Sequence, residues 1–104
     1  MNGAPVVIGG REFVVPRLRV AAYERAVMAI QGAEKVGQEG DPFGLVRLGA
    51  VCSAVVDLLA ENYPDLTTED VKGLLHMDEL DAVLSGLLQA GGKQAVKPGE
   101  AVGP

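Results

Sequence analysis

The chain has 104 residues, of which 48% are hydrophobic and 22% charged, and it carries a formal net charge of −5. This length and composition predict one small globular domain and exclude a disordered chain. The negative charge argues against binding to nucleic acid or to an anionic membrane surface, because both are themselves negatively charged.

The charges are unevenly distributed along the chain. Up to Lys35 there are five basic and three acidic residues, whereas residues 36–90 contain two basic and ten acidic ones. A basic front and an acidic body could attract each other between copies. We favour two differently solvated faces of one domain, because exposed charge pairs contribute little to stability.

The first predicted element is a β-hairpin over residues 5–16. Two runs rich in β-branched residues flank Gly9-Gly10, and a glycine pair supplies the positive φ angles of a two-residue turn. Pro5 and Pro16 bracket the hairpin, since proline cannot donate a ladder hydrogen bond. A lone hairpin is marginal in water, so it must pack on helices or pair with another chain. The second possibility is a first indication of a homo-oligomer.

A first helix is predicted from Arg17 to about Lys35, where apolar residues recur at helical spacing. The composition of residues 36–42, rich in glycine and polar side chains, predicts a loop.

A second helix is predicted from Pro42 or Phe43 to Asn62, with Asp41 as its N-cap. Its polar side chains share one narrow arc of the helix: Ser53, Asp57 and Glu61. A helix that is apolar over the rest of its circumference must be surrounded. Burial within the domain and a subunit interface explain this equally well.

Two shorter helices complete the predicted fold. Thr67 and Asp70 are expected to form a capping box at the start of the third helix. Asp78 is the expected cap of the fourth helix, and Gly91-Gly92 is expected to end it. The sequence therefore predicts a mainly α domain over residues 1–91, with about four helices and an N-terminal β-hairpin. Residues 92–104 have no periodic pattern and are expected to form a flexible, disordered tail.

The residues needed for catalysis, for a cofactor or for a metal site are missing. Cys52 stands alone among apolar residues, where a thiol usually packs as a small hydrophobe. His76 is the single histidine, and we expect it to cap a helix or lie at the surface; a zinc site needs several such ligands. His76 is the single candidate base for Ser53, and the helix that carries Ser53 is expected to be largely buried. A nucleophile–base pair is therefore not expected. The sequence favours a non-enzymatic protein that binds another protein.

The N-terminus lacks the pattern of a signal peptide, and the longest apolar stretch, residues 49–60, is interrupted and too short to span a bilayer. We therefore expect a cytoplasmic protein.

Four segments carry a resemblance to a known family. They occur in this order within a short chain: the opening hairpin Val7 to Pro16, the central Leu58 to Thr67 with its Asn62-Tyr63-Pro64-Asp65-Leu66-Thr67, the next helix Glu69 to Leu75 and the closing helix Leu80 to Leu88. In order and spacing the chain, from about Val6 to Gly92, resembles the tail assembly chaperones of long-tailed phages and prophages.

The resemblance implies a function. Such chaperones bind the long, aggregation-prone tape measure protein before the tail tube polymerises around it, and they are absent from the finished virion. They are mainly helical and tend to self-associate. Many also exist in a longer form, made by ribosomal frameshifting, that recruits the tail tube protein. Gly92-Lys93 is compatible with a slippery codon run, although a flexible dipeptide explains it more simply. The alternative function is a small virion structural protein, such as a head–tail connector or tail terminator subunit.

The apolar stripes suggest how a helical partner is held, because an amphipathic helix can lie in an apolar groove. The candidate residues for that groove or for a subunit interface are Leu80, Val83, Leu84, Leu87, Leu88, Val55 and Leu59. For most of these positions, burial in the core of the same chain is the simpler expectation.

Overall fold

The computed structural model describes residues 3–93, with side chains up to Gly92. Its elements are β1 (Ala4–Ile8), β2 (Arg11–Val15), α1 (Val20–Gly40), α2 (Leu45–Leu59), α3 (Thr68–Leu74), a 3-10 turn (Met77–Glu79) and α4 (Leu80–Lys93). The predicted mainly α fold with an N-terminal hairpin is confirmed. Of the predicted tail, Gly92 and Lys93 belong to α4, and residues 94–104 lie outside the described residues.

The hairpin forms around the glycine pair as predicted. β1 and β2 are antiparallel, in register from Ile8 opposite Arg11 to Ala4 opposite Val15, and Gly9 and Gly10 have φ angles of 59° and 81°. The buried face of the hairpin lies against α4 and the neighbouring part of α2. Three of its side chains join the main core: Ile8, Phe13 and Val15. The hairpin is therefore stabilised by helices of its own chain.

The residues just after α2 hold the outer edge of β2. Val14 stands opposite Pro5, so its backbone N–H and C=O point away from β1. The Tyr63 hydroxyl accepts a hydrogen bond from the Val14 N–H at 2.8 Å, and the Asn62 side-chain amide donates to the Val14 carbonyl at 2.9 Å. The Tyr63 ring also packs edge-on against Phe13, with centroids 5.1 Å apart. The Asn-Tyr pair thus fastens the hairpin to the end of α2.

α1 is longer than predicted. The expected end at Lys35 and the loop over residues 36–42 are wrong, because the helix continues to Gly40. The glutamine and glutamate after Gly37 are good helix formers, and a single internal glycine costs only about 1 kcal/mol. The helix stops where Gly40 adopts a φ of 138°. Its buried residues face α2: Ala26, Ile30 and Ala33.

α2 begins later and ends earlier than predicted. Gly44, with a φ of 67°, directly precedes the helix, so Pro42 is not its first residue. Asp41 nevertheless serves the free amides of the first turn, because its carboxylate accepts hydrogen bonds from Leu45 N at 3.0 Å and Val46 N at 2.9 Å. The helix ends at Leu59 instead of Asn62.

The central position of α2 explains most of its apolar surface. It contacts α1, α3, α4 and β2. Its buried residues are Val51, Cys52, Ala54, Val55, Leu58 and Leu59. One chain therefore surrounds the second half of the helix, whereas Leu45 and Val46 in the first turn stay exposed.

α3 begins with the predicted capping box. The Thr67 hydroxyl accepts a hydrogen bond from Asp70 N at 3.1 Å, and the Asp70 carboxylate accepts one from Thr67 N at 3.0 Å. The expected cap of α4 at Asp78 is wrong, because a 3-10 turn precedes that helix. The Glu79 carboxylate accepts a hydrogen bond from His76 N at 3.0 Å at the start of this turn.

α4 passes through both glycines that were expected to end it. The helix continues to Lys93. Gly91 does not end the helix but lies where Leu18 packs closely against it. The Leu18 N–H donates to the Gly91 carbonyl at 3.2 Å, and a Cβ at Gly91 would overlap the Leu18 side chain.

The capping box should make the stability of the domain depend on pH. Hydrogen bonding, first from the Thr67 backbone amide and then with its side chain, lowers the pKa of Asp70. A carboxyl whose pKa is lowered by folding stabilises the fold above its unfolded pKa, and this stabilisation is lost as pH falls through the folded pKa. We expect urea denaturation to show Asp70→Asn less stable than the wild type at pH 7. The difference should disappear as pH falls below about 3.9, the ordinary Asp pKa.

Asp65→Asn is the control, because Asp65 is outside the capping box. A difference between wild type and Asp70→Asn that stays constant from pH 7 to pH 2 would contradict the prediction.

Candidate functional site

The predicted interaction residues lie inside the fold. Six of the seven are buried: Leu80, Val83, Leu84, Leu87, Val55 and Leu59. Leu88 is half-buried and packs against the same core. The hairpin and α2 cover the apolar stripe of α4, so the stripe does not form an exposed groove. For most of these positions the structure thus shows the simpler of the two expectations, burial in the core of the same chain; Leu80 also lies at the base of the groove described below.

A different set of apolar side chains is exposed near the start of α2. Phe43 is 81% exposed, Leu45 is 65% exposed and Met77, in the 3-10 turn, is 70% exposed. Val46 is exposed as well. Scattered apolar residues are normal on a protein surface, whereas several around one concavity indicate a binding site.

Two of these residues, Leu45 and Met77, line a groove between the first half of α2 and the segment that follows α3. We call it the α2–α3 groove. Its apolar lining consists of Leu45, Leu48, Gly49, Cys52, Leu75, Met77 and Leu80. The volume is about 410 Å³, which lies in the range of about 300–1,000 Å³ usual for ligand pockets. The groove is large enough to receive apolar side chains of a partner.

The floor of the groove is uncharged, and its margin is apolar at Leu45 and Met77 and polar at Lys72 and His76. Cys52 and Leu80 are buried at the base, and desolvation raises the pKa of the Cys52 thiol, so the thiol stays neutral and packs as an apolar group. Lys72 and His76 also line the groove. Lys72 pairs with Glu69 at 3.3 Å, in keeping with the polar character of this side.

The surroundings of the groove are acidic. The segments that form it, residues 41–52 and 68–81, contain two basic residues and six carboxylates. Both basic residues are already in ion pairs: Arg47 is paired with Asp81, and Lys72 is paired with Glu69. Glu79 contacts His76, and the carboxylates still outnumber the basic residues, so these segments keep a net negative charge.

His76 has the surface role expected from the sequence. Its side chain is exposed, and its Nδ1 lies 2.9 Å from the Glu79 carboxylate. Hydrogen bonding by His76, from its backbone amide first, lowers the pKa of Glu79. Ser53 lines a separate groove with Arg25 and Asp57, away from His76.

Across residues 3–93, no group of three or more His, Cys, Asp or Glu side chains is placed to hold a metal ion. None of the helices in the described part of the chain combines the length and the apolar character required to cross a bilayer. No protein-family model, curated protein or solved structure matches the chain. Functional inference therefore depends on the surface itself.

The sequence analysis missed Phe43 and Met77 because it looked for apolar residues that repeat at helical spacing. Both lie outside such a repeat, Phe43 in the loop before α2 and Met77 between two polar residues. Apolar side chains in a connecting segment, where no periodic pattern draws them into the core, were the available signal.

Proposed function

We propose that this chain is a non-enzymatic phage tail assembly chaperone, which holds an amphipathic helix of the tape measure protein in the α2–α3 groove and so helps the tail tube assemble. The observation that supports binding is the exposed apolar rim of the groove, formed by Leu45 and Met77. The identity of the partner is drawn from the sequence resemblance. The chaperone works in the host cytoplasm and leaves before the virion is complete.

The groove suits a helix in particular. An amphipathic helix inserts side chains spaced by three or four residues into an apolar groove, and no free strand edge is needed. Fully burying one exposed Leu, Met or Phe side chain contributes about 1.5–3 kcal/mol. The association cost of about 4–15 kcal/mol offsets most or all of this gain, so we expect a weak, reversible complex. Reversibility is what an assembly chaperone requires, since it must release the partner.

The acidic surroundings add selectivity for the charge of the bound helix. A helix with lysines or arginines beside its apolar stripe would approach faster than one with acidic flanks. Because these charges are exposed, added salt should slow association while leaving the apolar contacts intact.

The test is co-expression of the chain with a tape measure protein from the same genome, followed by purification of the complex and measurement of its dissociation constant. We expect Leu45→Glu combined with Met77→Glu to weaken binding at least tenfold, because charged side chains then line the apolar groove. Val20→Glu is the matched control, since Val20 is an exposed apolar residue on α1, away from the groove. Circular dichroism should show that all variants remain folded.

Equal binding by the double variant and the wild type would contradict the groove as the binding site. Detection of the chain in purified virions by mass spectrometry would favour the alternative, a head–tail connector or tail terminator subunit. Sequencing the codons for Gly92 and Lys93 tests the separate expectation of a frameshifted longer form that recruits the tail tube protein.

A further inference from the structure

One face of α1 is left uncovered by the rest of residues 3–93. With 100° per residue, the arc within about 60° of Gly32 on the helical wheel holds Ala21, Lys35 and five further residues: Arg25, Met28, Ala29, Val36 and Glu39. All of them are exposed. The buried residues of the helix, such as Ile30, lie about 100–160° away and face α2. We call Gly32 and these five residues the α1 strip.

Among residues 3–93, nothing packs against Gly32. A Cβ at this position would meet nothing within 4 Å, so packing in the monomer does not require a glycine. An internal glycine destabilises a helix relative to alanine, because it loses more backbone freedom on folding. In a helix pair, a glycine at the crossing point lets two backbones approach closely.

We propose that α1 pairs with α1 of a second copy in an antiparallel arrangement, with the two-fold axis at Gly32. The residues 25, 29, 32, 36 and 39 alternate spacings of four and three, the pattern by which two helices pack along a shared seam. An isologous pair with two-fold symmetry is the commonest form of protein dimer.

The two-fold axis brings unlike residues together in a complementary way. Position 25 falls opposite position 39, so Arg25 meets Glu39 of the second copy at both ends of the seam. Position 28 falls opposite position 36, so Met28 meets Val36, and both are exposed in the single chain. The seam is about 21 Å long, at 1.5 Å per residue. A parallel pair would instead place Arg25 against Arg25 and Glu39 against Glu39.

A groove beside the strip offers room for the second helix. It is lined by Arg25, Ala26, Met28 and Ala29 of α1 and by Ser53, Ala54 and Asp57 of α2, with a volume of about 510 Å³. Val36 of the second copy reaches this groove when it packs on Met28. Arg25 is already paired with Asp57 at 3.2 Å, but a guanidinium has five N–H donors and can bind a second carboxylate.

The direct test is sedimentation of the full chain over a concentration series. One helix pair is a small interface, so we expect a weak, concentration-dependent dimer. Gly32→Glu should raise the dissociation constant at least tenfold, because two bulky like charges then meet at the axis. Loss of the dimer would not reflect unfolding, since glutamate is the better helix former. Gln31→Glu is the matched control, because it adds the same side chain about 100° around the helix and should leave the dimer intact.

Cross-linking tests the direction of pairing. A mixture of Met28→Cys and Val36→Cys chains should form a mixed disulfide under mild oxidation, whereas either variant alone should not cross-link through the introduced thiol. Cys52 does not interfere, because it is buried. Disulfides of each variant with itself would indicate a parallel pair and overturn the proposal.

A wild-type chain that is monomeric at every concentration would also overturn it, as would a Gly32→Glu chain that dimerises as strongly as the wild type. The α1 strip and the α2–α3 groove share no residue, so the failure of one proposal leaves the other standing.

Discussion

Replacing Leu87 with alanine should lower the free energy of unfolding by about 2–5 kcal/mol. Leu87 is 0% exposed in α4, which packs against the hairpin on one side and α2 on the other. Truncation removes apolar contacts with both and leaves a cavity that the surrounding elements can only partly fill. A small domain has about 5–15 kcal/mol of total stability, so this one change takes a large share of it.

Leu45→Ala provides the matched control, because it makes the same substitution in a helix at a leucine that is 65% exposed. Its free energy of unfolding should change by no more than about 0.5 kcal/mol. If the proposed function is right, Leu45→Ala should instead weaken binding of the tape measure protein. Urea denaturation followed by circular dichroism measures the first effect. A Leu87→Ala chain as stable as Leu45→Ala would show that α4 is not part of the core.

Gly9→Ala should destabilise the domain by about 3 kcal/mol or more, because two penalties add. Its φ of 59° is left-handed, which costs a residue with a Cβ about 1–2 kcal/mol. The added Cβ would also overlap the backbone carbonyl oxygen of Leu74 at the end of α3. Neither the turn nor the helix end can move freely, since both are attached to buried elements.

Gly10→Ala separates the two penalties. Gly10 has a φ of 81°, but a Cβ there meets nothing within 4 Å, so only the conformational cost applies. We expect a loss of about 1–2 kcal/mol for Gly10→Ala and a clearly larger one for Gly9→Ala, both from the midpoint and slope of urea denaturation. If the two variants lose the same free energy of unfolding, the close contact between Gly9 and Leu74 does not contribute to the cost of Gly9→Ala.

The elements that the sequence predicted well are those defined by local chemistry. Gly9-Gly10 determines the turn through its backbone angles, and Thr67 with Asp70 forms a cap whose partners are three residues apart. Each of these signals depends on a few adjacent residues. No knowledge of the rest of the fold was needed.

Helix ends were predicted poorly where glycine was counted as a breaker. α1 continues through Gly37, and α4 continues through Gly91 and Gly92. The glycine at position 91 is explained by the side chain of Leu18, which is 73 residues away in sequence and contacts it only in the folded chain. A single sequence does not contain that information in local form.

The candidate site could not be located from the sequence for a related reason. An amphipathic stripe shows that a helix face is covered, but it does not show by what. On α4 the covering elements are the hairpin and α2 of the same chain. The exposed residues Phe43 and Met77 lie in connecting segments, where a periodic pattern cannot reveal them.

Two positions at the edges of the hairpin bear on how the protein behaves at high concentration. Open strand edges recruit other strands and can seed fibres. Tyr63 and Asn62 occupy the outward groups of Val14 on one side, and Pro5 removes a donor on the other. Exposed apolar side chains such as Leu45 and Met77 favour association with other molecules. Because strand pairing is hindered at Val14 and Pro5, such association depends more on side-chain contacts, which are more selective than backbone pairing.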